Sequence, residues 1–265
     1  MKTRYPKEFL YSLGSLLAAV VVVHAIWSVW VRPNAQAVLA VQAEAMRKDP
    51  NFVPERSLFV IMKDWEQESC VVLMIWAIAM IVLKNNTTRR EQDILDGDPV
   101  HIPEGMRILP EDTREYVRQL ESLPAEQQQS LIVRAGKAAL SRFGATRNVQ
   151  DVSEAGHAVC AAEAERLDSE LSMLRYIAWA IPAIGFIGTV RGIGNALAEA
   201  HKAVTGDISG VTEGLGVAFN STLVALLLSL VLMFLLHQLQ LAQERLVLDA
   251  ETYLDNRVLR SLQVR

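Results

Sequence analysis

The sequence predicts an all-α, polytopic membrane protein with four transmembrane helices and a cytoplasmic helical bundle. Three observations carry that prediction. Of the 265 residues, 51% are hydrophobic and 21% charged, and the two classes are segregated along a chain of mean hydropathy +0.20, as in a membrane protein with an aqueous portion. Apolar runs of membrane length recur, two of them at residues 176–199 and 212–236. No alternating apolar pattern of the strand type appears anywhere.

The first span is assigned to residues 9–31. Lys2, Arg4 and Lys7 precede it, a layout shared with signal peptides, and Ala35-Gln36-Ala37 has the form of a cleavage site. The apolar run is about 22 residues, however, longer than the roughly 7–15 of a signal core, and Arg32 follows directly. Residues 32–68 form a polar external segment with a short amphipathic helix expected from about Asn34 to Lys48, stopped by Asp49-Pro50. The next run, 69–83, is about 15 residues, short for a core of about 30 Å, and by length alone it also suits a buried soluble helix. Trp65 and Trp76, with Lys63 and Lys84 able to snorkel, favour a thin or tilted second span. Residues 1–83 thus make the first division of the chain.

Residues 84–174 read as a cytoplasmic helical domain. Helices are expected over 111–120, over 124–143 with Ser122 as N-cap and Gly144 as terminator, and from about Val149 through Arg175 into the membrane. Residues 175–238 form an antiparallel hairpin, because only the polar turn 201–210 separates its helices. In the second helix Gly214, Ala218, Ser221, Thr222, Ala225 and Ser229 recur at steps of three, four and seven; in the first, Gly185, Gly188, Thr189 and Gly192 do the same. Such faces allow close helix approach and hydroxyl bonding across the contact, so they meet protein or a pore and not lipid. Residues 239–265 continue the last helix as a cytoplasmic C-terminal helix, with Leu239, Leu246 and Tyr253 seven apart. Basic residues near the amino terminus, at 84–90, at 166–175 and in the tail place both termini in the cytoplasm, against the five basic residues of 32–68.

Several chemistries find no support. A net charge of −4 gives no footprint for nucleic acid. Cys70 and Cys160 lie on opposite sides of the membrane in this topology, which excludes a disulfide framework. Glu154, His157 and Cys160 share a helical face at spacings of three, but no second cluster completes a metal site. The glycines at 188, 192 and 194 follow no strand and make no nucleotide loop. No cofactor and no enzyme activity are indicated. The central portions of the last two spans contain no Asp or Glu, so a charge-changing group for ion transfer is expected from another chain. Thr189, Ser221 and Thr222 can coordinate a cation or order water, or they can simply join helices. Arg191, about 200° around the helix from Thr189, is expected to snorkel or pair with Glu199 or Glu213. His24, inside the first span, is read as a hydrogen-bonded structural histidine ahead of a proton relay.

At Pro182-Ala183-Ile184-Gly185 and Gly188-Thr189-Val190-Arg191-Gly192-Ile193, followed by Thr212-Glu213-Gly214-Leu215 and Ser221-Thr222, the chain resembles the MotA/TolQ/ExbB proton-channel family. The PAxG run resembles the flagellar stator MotA and GTVxGI resembles TolQ and ExbB. The resemblance covers roughly residues 149–236; the first 148 are similar in layout only, with four spans as in MotA where the ExbB type has three. It implies a homopentamer in the bacterial inner membrane, driven by ion (proton) motive force, whose last two helices line a channel. Inside the ring would sit the helices of a single-span ExbD/TolR/MotB-like partner that supplies a membrane aspartate. Thr189 matches the family's pore-lining threonine, and Ser221 and Thr222 its hydroxyl pair. Asn220 joins this lining on the resemblance, while Pro182, Gly185, Gly188, Gly192, Ala218 and Ala225 are the packing positions. Arg191 and Asn220 depart from the family pattern. The competing expectation is a non-conducting oligomeric membrane scaffold. A secondary transporter is disfavoured because no inverted repeat is visible.

Overall fold

In lipid a backbone must satisfy its own hydrogen bonds, and a chain without strand patterning does so only as helix. A computed structural model of the chain describes residues 7–48, 56–103 and 106–264. It runs α1 (Lys7–Ile26), a π-helical turn (Trp27–Val31), α2 (Arg32–Lys48), α3 (Leu58–Met62), α4 (Trp65–Asp96), α5 (Thr113–Ser122), α6 (Ala125–Gln128), α7 (Leu131–Thr146), α8 (Val149–Glu170), α9 (Ser172–Ala203) and α10 (Ser209–Tyr253), with π-helical (Leu254–Val258) and 3-10 (Leu259–Ser261) turns at the end. Among the described residues the only β pairing is an isolated bridge between Ile108 and Leu262. Four helices among the described residues are long and apolar enough to cross a membrane. The all-α, multi-pass reading therefore holds.

Two compact units share the chain: residues 1–81 with 173–236, and residues 82–172 with 237–265. In the first, α1 does not stop before α2. Pro33 has no N–H for the carbonyl of Val29, and its ring would crowd that carbonyl in a regular helix. The π turn at Trp27–Val31 directly precedes it and opens the helix there. The Asn34 side-chain amide donates to the Trp30 carbonyl at 2.7 Å. The separate amphipathic helix expected from Asn34 is thus a continuation of the first span; its expected stop, Asp49-Pro50, lies outside the described residues. The second apolar run is likewise the middle of a longer helix, since α4 has 32 residues and a length of about 48 Å. Trp27 Nε1 donates to the Met62 carbonyl at 2.8 Å and Trp76 Nε1 to that of Ser12 at 2.9 Å, tying the π turn to the end of α3 and α4 to α1.

The α9–α10 turn is five residues long, shorter than expected, because both helices extend beyond their apolar runs. Gly206 takes φ +94°, a conformation that only glycine adopts freely. Asp207 Oδ1 accepts from the Ser209 N–H at 3.0 Å and starts α10 as an N-cap does.

The second unit is built around one apolar cluster that includes Leu95, Leu120, Leu131, Leu140, Phe143, Val152, Val247 and Leu254. It draws on α4, α5, α7, α8, the end of α10 and the π turn after it. Leu239 and Leu246 are buried, and the Tyr253 hydroxyl donates to Asp98 and accepts from the Val100 N–H, so the heptad face of the tail packs as its spacing predicts. The expected 124–143 helix is broken. α6 ends at Gln128, and α7 begins after Ser130, whose hydroxyl caps nothing. Glu91, forty residues upstream, accepts the Leu131 N–H at 2.9 Å instead. Nor does Gly144 end α7, which continues to Thr146 and closes on Arg147 in the left-handed conformation. The expected 111–120 helix starts at Thr113, and Ser122 closes it instead of opening the next one.

Candidate functional site

Close approach of α9 and α10 is written into their glycines. A Cβ on Gly192 would lie 2.5 Å from the Ala218 backbone nitrogen and 2.6 Å from the Gly214 carbonyl; one on Gly214 would lie 2.6 Å from the Ala196 nitrogen. A Cβ on Gly185 would strike Ala225, and one on Gly188 would strike Ser221. Ala218 and Ala225 are buried. Pro182, half-buried inside α9, cannot donate to the Ala178 carbonyl four residues back. The Ser229 hydroxyl donates to that carbonyl from α10 at 3.3 Å.

This contact brings the hydroxyls together. Thr189 and Thr222 share a hydrogen bond. Carbonyls lie within reach of both hydroxyls, Gly185 (3.3 Å) and Ala218 (3.2 Å) for Thr189 and Gly185 (3.3 Å) for Thr222; the shared bond uses one of the two protons and leaves the other for one of these acceptors. Both are half-buried, so the pair borders the surface of the single chain. Ser221 is separate from them: fully buried, it donates to the Val217 carbonyl of its own helix at 2.7 Å. Asn220 is half-buried and takes no part in the threonine pair.

Sequence reasoning confined to the last two spans missed the acids that open α4. Glu66 is wholly buried, and its Oε1 and Oε2 accept from Arg191 Nε and Nη2 at 2.6 and 2.9 Å. Asp64 Oδ1 lies 3.4 Å from the same guanidinium. The expected pairing of Arg191 with Glu199 or Glu213 is therefore wrong: Glu199 pairs with Lys202 at 2.6 Å and Glu213 with Lys63 at 3.2 Å. A planar fork facing the Glu66 carboxylate of α4 is a better match than an acid along the same hairpin. Glu68 sits between Arg32 Nη2 (2.5 Å) and His24 Nδ1 (2.7 Å), so the histidine of the first span is hydrogen-bonded within the chain. The signal for these acids was present as unexplained cations, because Arg32 and Arg191 at or in apolar runs require partners.

In the second unit, His157 Nε2 lies 3.2 Å from Asp255 and Cys160 is buried. No group of three or more His, Cys, Asp or Glu among the described residues is arranged to hold a metal ion.

The model of the MotA/TolQ/ExbB proton channel family matches residues 125–252, a stretch that contains all of α9 and nearly all of α10, with both threonines, and excludes Glu66. No curated protein and no solved structure matches the chain. Over residues 125–252 the chain is similar to the MotA/TolQ/ExbB proton channel family.

Proposed function

We propose that the protein is the ring-forming subunit of a motor driven by the proton motive force. In this reading five copies surround the transmembrane helices of an ExbD/TolR/MotB-like partner. α9 and α10 line the central channel, and downhill proton flow moves the partner relative to the ring. The partner supplies the aspartate that changes charge. The chain lies in the bacterial inner membrane with both termini in the cytoplasm and performs no catalysis. The observation that carries the reading is the Thr189–Thr222 pair, which sets two hydroxyls side by side at the border of a seam with no carboxylate of its own in the central portions of α9 and α10.

A second reading, a non-conducting scaffold, has its own observation: both hydroxyls already have backbone acceptors in Gly185 and Ala218. Thr189→Val and Thr222→Val separate the two. Valine keeps the shape and removes the hydroxyl's donor and acceptor capacity. Assembly should survive, because a hydrogen bond between membrane helices is worth only about 0.6 kcal/mol on average. On the motor reading ion-driven output falls, since an apolar ring beside the partner's carboxylate raises the cost of its charged state. Rings of unchanged subunit count with undiminished output would remove the threonines from the pathway and leave the scaffold standing.

A further inference from the structure

Arg191 is a misfit in a cation channel. It stands two residues from Thr189, carries a charge that persists throughout the accessible pH range, and would repel any cation passing the hydroxyl pair. The fold answers that charge from the opposite side. Both oxygens of Glu66 are engaged by the guanidinium, at 2.6 and 2.9 Å, and Asp64 adds a second carboxylate at 3.4 Å. The Glu66 side chain also backs onto the α9–α10 seam: its Cγ lies 3.1 Å from where a Gly188 Cβ would stand, at the point where Ser221 also closes in. The surrounding charges are already matched, Lys63 with Glu213 and Glu68 with Arg32 and His24. Glu66 alone gives Arg191 a fully buried, two-pronged partner.

We propose that Glu66 is a positioning residue for the channel: it draws Arg191 against α4, cancels its charge and keeps the seam that holds Thr189 and Thr222 free of positive potential. This rests on the motor reading. The geometry points to positioning and not to proton carriage, because both Glu66 oxygens are occupied by the Arg191 guanidinium.

The test uses the full-length ring co-purified with its partner, reconstituted in vesicles holding a pH-sensitive dye, with a potassium–valinomycin potential to drive protons inward. Glu66→Gln, nearly unchanged in shape, should lower proton influx about tenfold or more by freeing the Arg191 charge. Glu66→Gln combined with Arg191→Gln, a neutral pair, should return influx to within about threefold of wild type. Ring melting should follow the same order, lower for the single variant and recovered in the double. Full influx through Glu66→Gln would overturn the role, as would a double variant as inactive as the single one, which is the mark of a proton carrier. Wild-type vesicles that stay proton-tight would instead refute the channel reading, and this role with it.

Discussion

Pro182 costs α9 a backbone hydrogen bond, and Ser229 supplies a replacement from the neighbouring helix. With Ala178 O facing a missing N–H and no water in the hydrocarbon region, the carbonyl needs a donor from outside its own helix, and Ser229 Oγ at 3.3 Å is that donor. Ser229→Ala should therefore destabilise the hairpin by about 1 kcal/mol, within the range of measured membrane hydrogen bonds. In a Pro182→Ala background the restored amide takes over and the same change should be nearly silent. A double-mutant cycle on ring melting checks this, and equal losses in both backgrounds would disprove the link. The separate halves of this pair are legible in the sequence, a proline inside a span and a serine on a small-residue face. Their connection is not, because it depends on which turn of α10 faces which turn of α9. Arg191 inside an apolar run announced that a partner was needed, but not that it is Glu66: the two are 125 residues apart, and no spacing rule reaches that far. Thr189 and Thr222 were legible because helical periodicity puts each on the face that meets the other helix.

Element boundaries in the second unit are decided by side chains that arrive from elsewhere. Glu91 caps α7 in place of the buried Ser130, and α8 is held by Glu163, which accepts from Arg134 at 2.6 Å and from Arg166 at 2.6 and 3.0 Å. The two carboxylates respond oppositely to their surroundings. Burial pushes Glu91 above the ordinary carboxylate range despite the Leu131 N–H. Burial also works against Glu163, but the hydrogen bonds and charges of Arg166 and Arg134 outweigh it and hold the carboxyl below its ordinary value of 4.5. A carboxylate depressed in the folded state contributes stability that is full above its unfolded value and is lost as pH falls through the folded one. Glu163→Gln should thus destabilise the unit by about 1–3 kcal/mol at neutral pH and flatten its loss of stability below about pH 4.5. Glu91→Gln keeps an acceptor for Leu131 and removes a buried charge, so at neutral pH it should cost less than Glu163→Gln. Melting curves between pH 3 and 8, taken at about one-unit steps, compare the two; a Glu163 variant whose acid limb matches wild type would refute the argument. Start and stop signals, and a run free of breakers from about Val149, marked α7 and α8 as helices. The same signals misplaced their ends because the cap of α7 is forty residues away and its terminator, Arg147, has no glycine signature.

For the whole molecule, the sidedness of the membrane is the expectation that the fold leaves to experiment, and the native cysteines cannot report it. Cys70 and Cys160 are both buried, and burial, with Glu251 nearby, pushes the Cys160 thiol up to about 11. An impermeant maleimide attacks the thiolate, so neither residue should react from either side. Exposed positions are required. Thr205, in the α9–α10 turn, and Glu126, in α6, are both exposed. The stretch 201–210 around the turn carries a single lysine, Lys202 at the end of α9, whereas the segment 84–90 holds Lys84, Arg89 and Arg90, and the positive-inside bias puts the second group in the cytoplasm. With both native cysteines replaced by Ala, Thr205→Cys should be labelled on intact cells from which the outer membrane has been stripped. Glu126→Cys should be labelled only after permeabilisation. The reverse pattern would turn the protein over, and with it the direction of ion flow on which the motor reading depends. Labelling of both from outside would mean that 176–199, the one apolar run between the two positions, does not cross the membrane.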